Sequence, residues 1–258
     1  NNYNLYDSTV IDIELNEDEK DLSEKLNIEK KTAYNFYGPI NKDQVKYISD
    51  FLQKLGNDKD ISDKVATMYF EKVIKPFLDS LNKEYAWITI RATMPTDEFD
   101  LPRWHIDGYY YKVEEYRKKN KGIPKLVTTL KGPCTLLKET DKETREKFKT
   151  LKTELEKKAT PDEHMAQFSK EKPKVFTYIR EELNKFLKKY PTITCIKNQV
   201  VVFVSNLAIH SEPPMNEERL FMSILPGEKD EIKEMADNQK AYLEEIGSLE
   251  YIKSIIFK

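Results

Sequence analysis

Strand-like sequence occurs in two separate blocks, residues 85–137 and 192–225, with helical sequence before, between and after them. The first block opens on WITIRATM. There Trp87, Thr89, Arg91 and Thr93 alternate with Ile88, Ile90, Ala92 and Met94, the period of two that gives each face of a strand its own set of side chains. RWHIDGYYY, KLVTTL (closed by Gly132-Pro133) and CTLL continue the block. TITCI, VVVFV and RLFMSIL form the second block, which closes on Pro226-Gly227. Helices do not alternate with single strands, so a parallel sheet built of crossover units is not expected. The pattern predicts an α+β chain with a mainly β core, an antiparallel barrel or jelly roll with helices packed around it.

The flanking helices are legible from their apolar spacing. Residues 1–35 are polar and acidic with short apolar runs, an arm or one edge strand. Asn41 precedes a stripe of Val45, Ile48, Phe51, Leu52 and Leu55 that Gly56 ends. A second helix is predicted from Ser62 or Asp63 to about Pro76, so that N-terminal helices occupy about 41–80. Residues 138–190 are rich in Lys and Glu and read as a surface-facing helical insertion. Thr160-Pro161-Asp162-Glu163 is a helix start, and Val175, Phe176, Ile179, Leu183, Phe186 and Leu187 are an apolar stripe. A C-terminal helix over about 230–256 carries Ile232, Met235, Ala236, Leu243 and Ile246 on one face. That face is expected to pack on the chain's own barrel or on a second copy, as a homodimer. A length of 258 residues suits a single domain spanning 1–258.

Charge excludes some partners. Lys+Arg 43 against Asp+Glu 45 leaves a net charge of -2, with no overall field to draw in nucleic acid or an anionic membrane. No apolar run reaches the ~20 residues of a membrane helix, and NNYNLYDSTV has neither a basic nor an apolar signal-peptide region. Two cysteines, Cys134 and Cys195, do not make a disulfide framework. They could pair, but are expected to be reduced, buried thiols, which points to an intracellular, cytoplasmic location.

Only three histidines are present. His105 and Asp107 form a His-x-Asp triplet on a predicted strand, so both project to one face, one step apart. Such triplets are common by chance, and this one gains meaning from the second block. His210 follows the apolar strand VVVFV and the Ser205-Asn206 turn, and Arg219 comes nine residues later. Two imidazoles and one carboxylate on one side of a metal, with open positions opposite, make a facial triad. Arg219 opens a predicted strand on which Phe221 and Ser223 share its face. A guanidinium fork there suits a dicarboxylate's far end, with the Ser223 hydroxyl as a further donor.

His-x-Asp, a distal His and an Arg about ten residues on resemble the iron(II)/2-oxoglutarate-dependent dioxygenases. The residues that carry the resemblance are RWHIDG, VVVFVSNLAIHSEPP and RLFMSILPG, within about 85–137 and 192–227. The resemblance implies a double-stranded β-helix fold and iron(II) held by His105, Asp107 and His210. It also implies 2-oxoglutarate anchored by Arg219, aided by Ser223 and Thr129, and dioxygen at the remaining position. The implied reaction hydroxylates a substrate C–H bond and releases succinate and carbon dioxide.

Arg91, Tyr109 and Tyr111 are candidate substrate-binding residues, with Arg91 or Lys131 as a second possible anchor for the co-substrate. The basic stretch 116–125 is a solvated loop or a lid for an anionic substrate. That substrate could be a protein side chain, a nucleic acid or a small molecule. His164 reads as surface. Two other readings remain open at this point: a cupin-like metal barrel without 2-oxoglutarate chemistry, and a protein-interaction module in which His105 and His210 lie apart.

Overall fold

The structure, a computed structural model, describes residues 8–96, 101–108, 122–166, 173–245, 255, 257 and 258. Among them the strands are β1 (Thr9–Asp12), β2 (Thr32–Pro39), β3 (Tyr85–Thr93), β4 (Pro124–Lys131), β5 (Leu136–Lys138), β6 (Thr192–Thr194), β7 (Gln199–Val204), β8 (His210–Ser211) and β9 (Arg219–Gly227). They form a six-stranded sheet, order β1-β7-β4-β9-β3-β2, and a three-stranded sheet, order β6-β5-β8. Every pairing between these strands is antiparallel.

The helices are α1 (Glu17–Lys20), α2 (Asp43–Lys54), α3 (Lys59–Tyr69) and α4 (Lys75–Ser80) before the first strand block. The insertion holds α5 (Lys142–Glu156), α6 (Pro161–Ala166) and α7 (Lys174–Leu187), and α8 (Lys229–Glu245) follows the last strand.

Alternation along the strands decides which face of the large sheet does what. Ile88 and Ile90 of β3, Leu126 of β4, Val200 of β7, and Leu220, Met222 and Ile224 of β9 point to one side. They share a core with Ile48 and Leu52 of α2 and Val65 of α3. The residues between them in sequence point the other way and line a cavity, Thr89 and Arg91 from β3, Val127 from β4, and Phe221 and Ser223 from β9. The small sheet meets this second face, since Leu137 and Ala208 share an apolar cluster with Val127, Val201 and Phe203.

Several expectations are corrected. The second helix starts at Lys59, because Asp58 caps it by accepting the Ile61 N–H at 2.9 Å. Pro76 does not end it: the helical run continues through a π-turn over Phe70–Ile74 into α4, which carries the proline near its start. RWHIDGYYY is not a regular strand: among its described residues only His105 makes a bridge, to His210. Residues 32–39 form a full edge strand on β3, which mixed Tyr, Asn and Thr residues concealed. Cys134 and Cys195 are disulfide-bonded, not free thiols. Pairing of Leu136 with Thr194 brings their neighbours together across 61 residues of chain. The paired cysteines therefore do not point to a reducing compartment.

The C-terminal helix buries its stripe on its own chain. Ile232, Met235 and Ala236 lie in a cluster with Tyr37, Ile123 and Leu225, and Leu243 joins them, so this stripe is not presented to a second copy. Ile246 lies outside the described residues, and Phe257 pairs with Tyr37, so the helix ends short of 256. Truncation after Gly227 would uncover Tyr37 and Leu225. The truncated protein is expected to aggregate or to melt well below the parent in a thermal scan, and equal melting would show the helix dispensable. Among the described residues no helix is long and apolar enough to cross a membrane.

Candidate metal centre

The centre forms where the small sheet is extended by one bridge. His105 N–H donates to the His210 carbonyl and His210 N–H to the His105 carbonyl, both at 2.9 Å. This exchange sets the two imidazoles side by side, with ring centroids 4.3 Å apart. Asp107 N–H donates to Ser205 O at 3.2 Å, which fixes the carboxylate two residues on. Asp107 Oδ1 lies 3.6 Å from His105 Nε2 and 3.3 Å from His210 Nε2. Ligand-capable atoms of all three residues lie within 4.8 Å of one another. Bonds of ~2.1 Å at right angles to a shared ion would space ligand atoms ~3 Å apart, so the two His–Asp separations fit one ion after small closure.

The imidazoles are oriented from behind. His105 Nδ1 is 2.8 Å from the Arg103 carbonyl and His210 Nδ1 is 3.0 Å from the Ala208 carbonyl. A carbonyl only accepts, so each Nδ1 carries a proton, which leaves each Nε2 as the ring nitrogen available to a metal beside Asp107. Burial, then the neighbouring His210, pushes the His105 pKa down, so the ring is neutral, as a ligand must be. Burial would raise the Asp107 carboxyl, but Lys125 and His210 outweigh it and hold it well below the usual carboxylate range. Phe203 closes the apolar side, its ring centroid 5.1 Å from that of His210.

The cavity in front of the triad has a volume of about 240 Å³. Arg219 lies in its wall, 3% exposed, with Nε donating to Pro133 O at 2.8 Å and Nη2 to Thr135 Oγ1 at 3.1 Å. The guanidinium carbon sits 4.5 Å over the Phe221 ring. Gly132 makes this cradle possible: its φ is +83°, and a Cβ there would meet the Glu218 carbonyl at 2.1 Å. Burial pushes the Arg219 pKa down to about 10, Glu212 opposing and Arg91 adding to the fall, so the group is charged at neutral pH.

Of the other sequence-predicted residues, Ser223 and Arg91 line the same cavity, Ser223 buried and Arg91 exposed. Thr129 does not line it, and its hydroxyl donates to Pro133 O at 3.4 Å. Lys131 turns away, donating to Leu26 O at 2.6 Å. His164 is half-buried against Phe176 in the insertion. Tyr109, Tyr111 and residues 116–121 lie outside the described residues.

Four participants escape sequence reasoning. Lys125, read only as part of a basic loop, is a β4 residue whose Nζ lies 2.9 Å from Asp107 Oδ2. Its parity with Val127 on KLVTTL was the available signal. Arg103 and Glu212 form a 2.6 Å ion pair at the cavity. Burial would raise the Glu212 carboxyl, but Arg103 and His105 hold it well below its usual range. Arg103 lies two residues before one histidine and Glu212 two after the other, so opposite charges at mirrored offsets were the signal. Thr135 offered none.

No protein-family model matches the chain, and no curated protein does. Solved structures similar to it include a Pseudomonas putida prolyl-4-hydroxylase, 12% identical over 86% of this chain and 92% of that one, TM-score 0.35. Another is an N-substituted L-amino acid dioxygenase from Burkholderia ambifaria, 16% identical over 85% of this chain and 82% of that one, TM-score 0.39. The same dioxygenase in complex with alpha-KG is 16% identical over 84% of this chain and 81% of that one, TM-score 0.38.

Proposed function

We propose that this chain is an iron(II)- and 2-oxoglutarate-dependent oxygenase, a hydroxylase built on a double-stranded β-helix or jelly roll. The observation that carries the reading is the convergence of His105 Nε2, His210 Nε2 and Asp107 Oδ1 with both Nδ1–H groups tied back to carbonyls. Two neutral imidazoles and one carboxylate are the donor set that suits iron(II) with open positions. The third reading, an interaction module with the histidines apart, does not fit a bridge between them. No observation favours a metal barrel without co-substrate.

Bound iron(II) with 2-oxoglutarate and dioxygen would supply the oxidising chemistry that hydroxylates a substrate C–H bond and releases succinate and carbon dioxide. The chain's own residues bind and orient. Arg219 is the anchor for the far carboxylate of 2-oxoglutarate. Pro133 O and Thr135 Oγ1 fix the guanidinium plane, and the rest of the fork serves the ligand. Ser223 adds a hydroxyl from the same strand face. Lys125 holds the outer oxygen of Asp107 so that Oδ1 stays turned toward the histidines. Arg91 stands on the exposed side of the cavity, placed to meet a substrate.

The test is anaerobic reconstitution with iron(II), then 2-oxoglutarate titration, then succinate release on admitting air. Iron-dependent 2-oxoglutarate binding and succinate release are expected. Metal binding with no 2-oxoglutarate binding would favour the cupin-like reading instead.

A further inference from the structure

The helical insertion reads from sequence as surface decoration, yet the residues preceding both histidines are buried in its core. Trp104 and Ile209 lie in one apolar cluster with Phe148 of α5 and Phe176, Ile179 and Leu183 of α7. Residues 101–108 have no strand of their own beyond the single His105 bridge, so something else must fix their path. Asn184 of α7 does so with both ends of its amide. Its Oδ1 accepts the Trp104 indole N–H at 2.9 Å, and its Nδ2 donates to Pro102 O at 2.9 Å and to Arg180 O at 2.8 Å. The residue between those two gripped neighbours is Arg103, whose carbonyl receives the His105 Nδ1–H.

We infer that Asn184 is a positioning residue for the metal centre, and that the insertion is the mould in which His105 is set. The inference rests on the proposed metal role of the triad. The clamp acts on His105 alone: Asn184 holds Pro102 and Trp104, those hold the Arg103 carbonyl, and that carbonyl orients the ring. His210 takes its orientation from the Ala208 carbonyl and is outside the clamp.

Two variants and a control test it. Asn184→Ala removes both bonds. Asn184→Asp keeps the acceptor for the indole but loses the donor to Pro102 O. Leu183→Ala, one residue away, removes core packing and leaves the clamp. The readouts are Mn(II) affinity by titration, the ring N–H resonances of metal-free protein labelled with nitrogen-15 histidine, and thermal melting.

Asn184→Ala is expected to weaken Mn(II) binding about tenfold or more. It should also expose the His105 ring N–H to solvent exchange while the His210 ring N–H keeps its protection. Asn184→Asp should show the same changes in lesser degree, which keeps the test alive if the alanine variant does not fold. Leu183→Ala should lower the melting temperature with both ring signals unmoved. Parent-like His105 protection in both Asn184 variants would overturn the inference, whatever their stability. A parent protein that binds no Mn(II) would count against the metal reading, and the ring N–H comparison would still decide the clamp.

Discussion

Asp107→Ala is expected to abolish succinate release and to weaken iron(II) binding by roughly a hundredfold or more, while the protein still folds. Loss of an outer-shell partner of a metal ligand alone costs ~10–100-fold in affinity, and here a ligand and its charge both go. Only two neutral imidazoles would remain, facing Lys125, whose ammonium would have lost the carboxylate 2.9 Å away. An uncompensated cation beside the ion adds repulsion to the missing bond. The fold is expected to survive because Asp107 lines a cavity and the two-way backbone bridge between His105 and His210 does not use its side chain. Anaerobic iron(II) titration and a circular-dichroism melt read the two halves. Near-parent affinity in a folded variant would remove Asp107 from the centre.

Arg219→Lys is expected to raise the KM for 2-oxoglutarate by one to two orders of magnitude, and Arg219→Ala further. A charge-assisted hydrogen bond lost costs about 1.5–3 kcal/mol, which is roughly ten- to a hundredfold. Lysine keeps the charge but cannot hold Pro133 O and Thr135 Oγ1 and grip a carboxylate as well. Iron(II) affinity should stay within a few-fold, because Arg219 is not one of the three converging groups. The guanidinium is buried over Phe221, so melting curves are needed to separate lost stability from lost binding. If both variants bind 2-oxoglutarate as the parent does, Arg91 is the next cation in the cavity.

Much of the candidate centre is legible in the sequence. His105 and Asp107 share a face because side chains alternate in extended chain, and that holds although the segment pairs at a single residue. The distal histidine was marked by the apolar strand before it, and Arg219 and Ser223 by their parity on β9. Thr129 has the right parity too, yet it falls outside the cavity. Strand pairing shifts between Thr129 and Lys131, and the Thr129 hydroxyl turns to Pro133.

The relations legible in the residues alone are local. The sequence sets which side chains share a face, where helices have apolar stripes, and that one His-x-Asp and one later His are the metal candidates. These follow from backbone periods that neighbouring residues impose on one another. Long-range packing sets the rest: the Lys125–Asp107 contact, the Arg103–Glu212 pair, the Cys134–Cys195 bond and the Asn184 grip on Pro102 and Trp104. Each joins residues 18 to 109 positions apart. Contacts at such range depend on which strands pair and which helix covers them, and no local period encodes that choice.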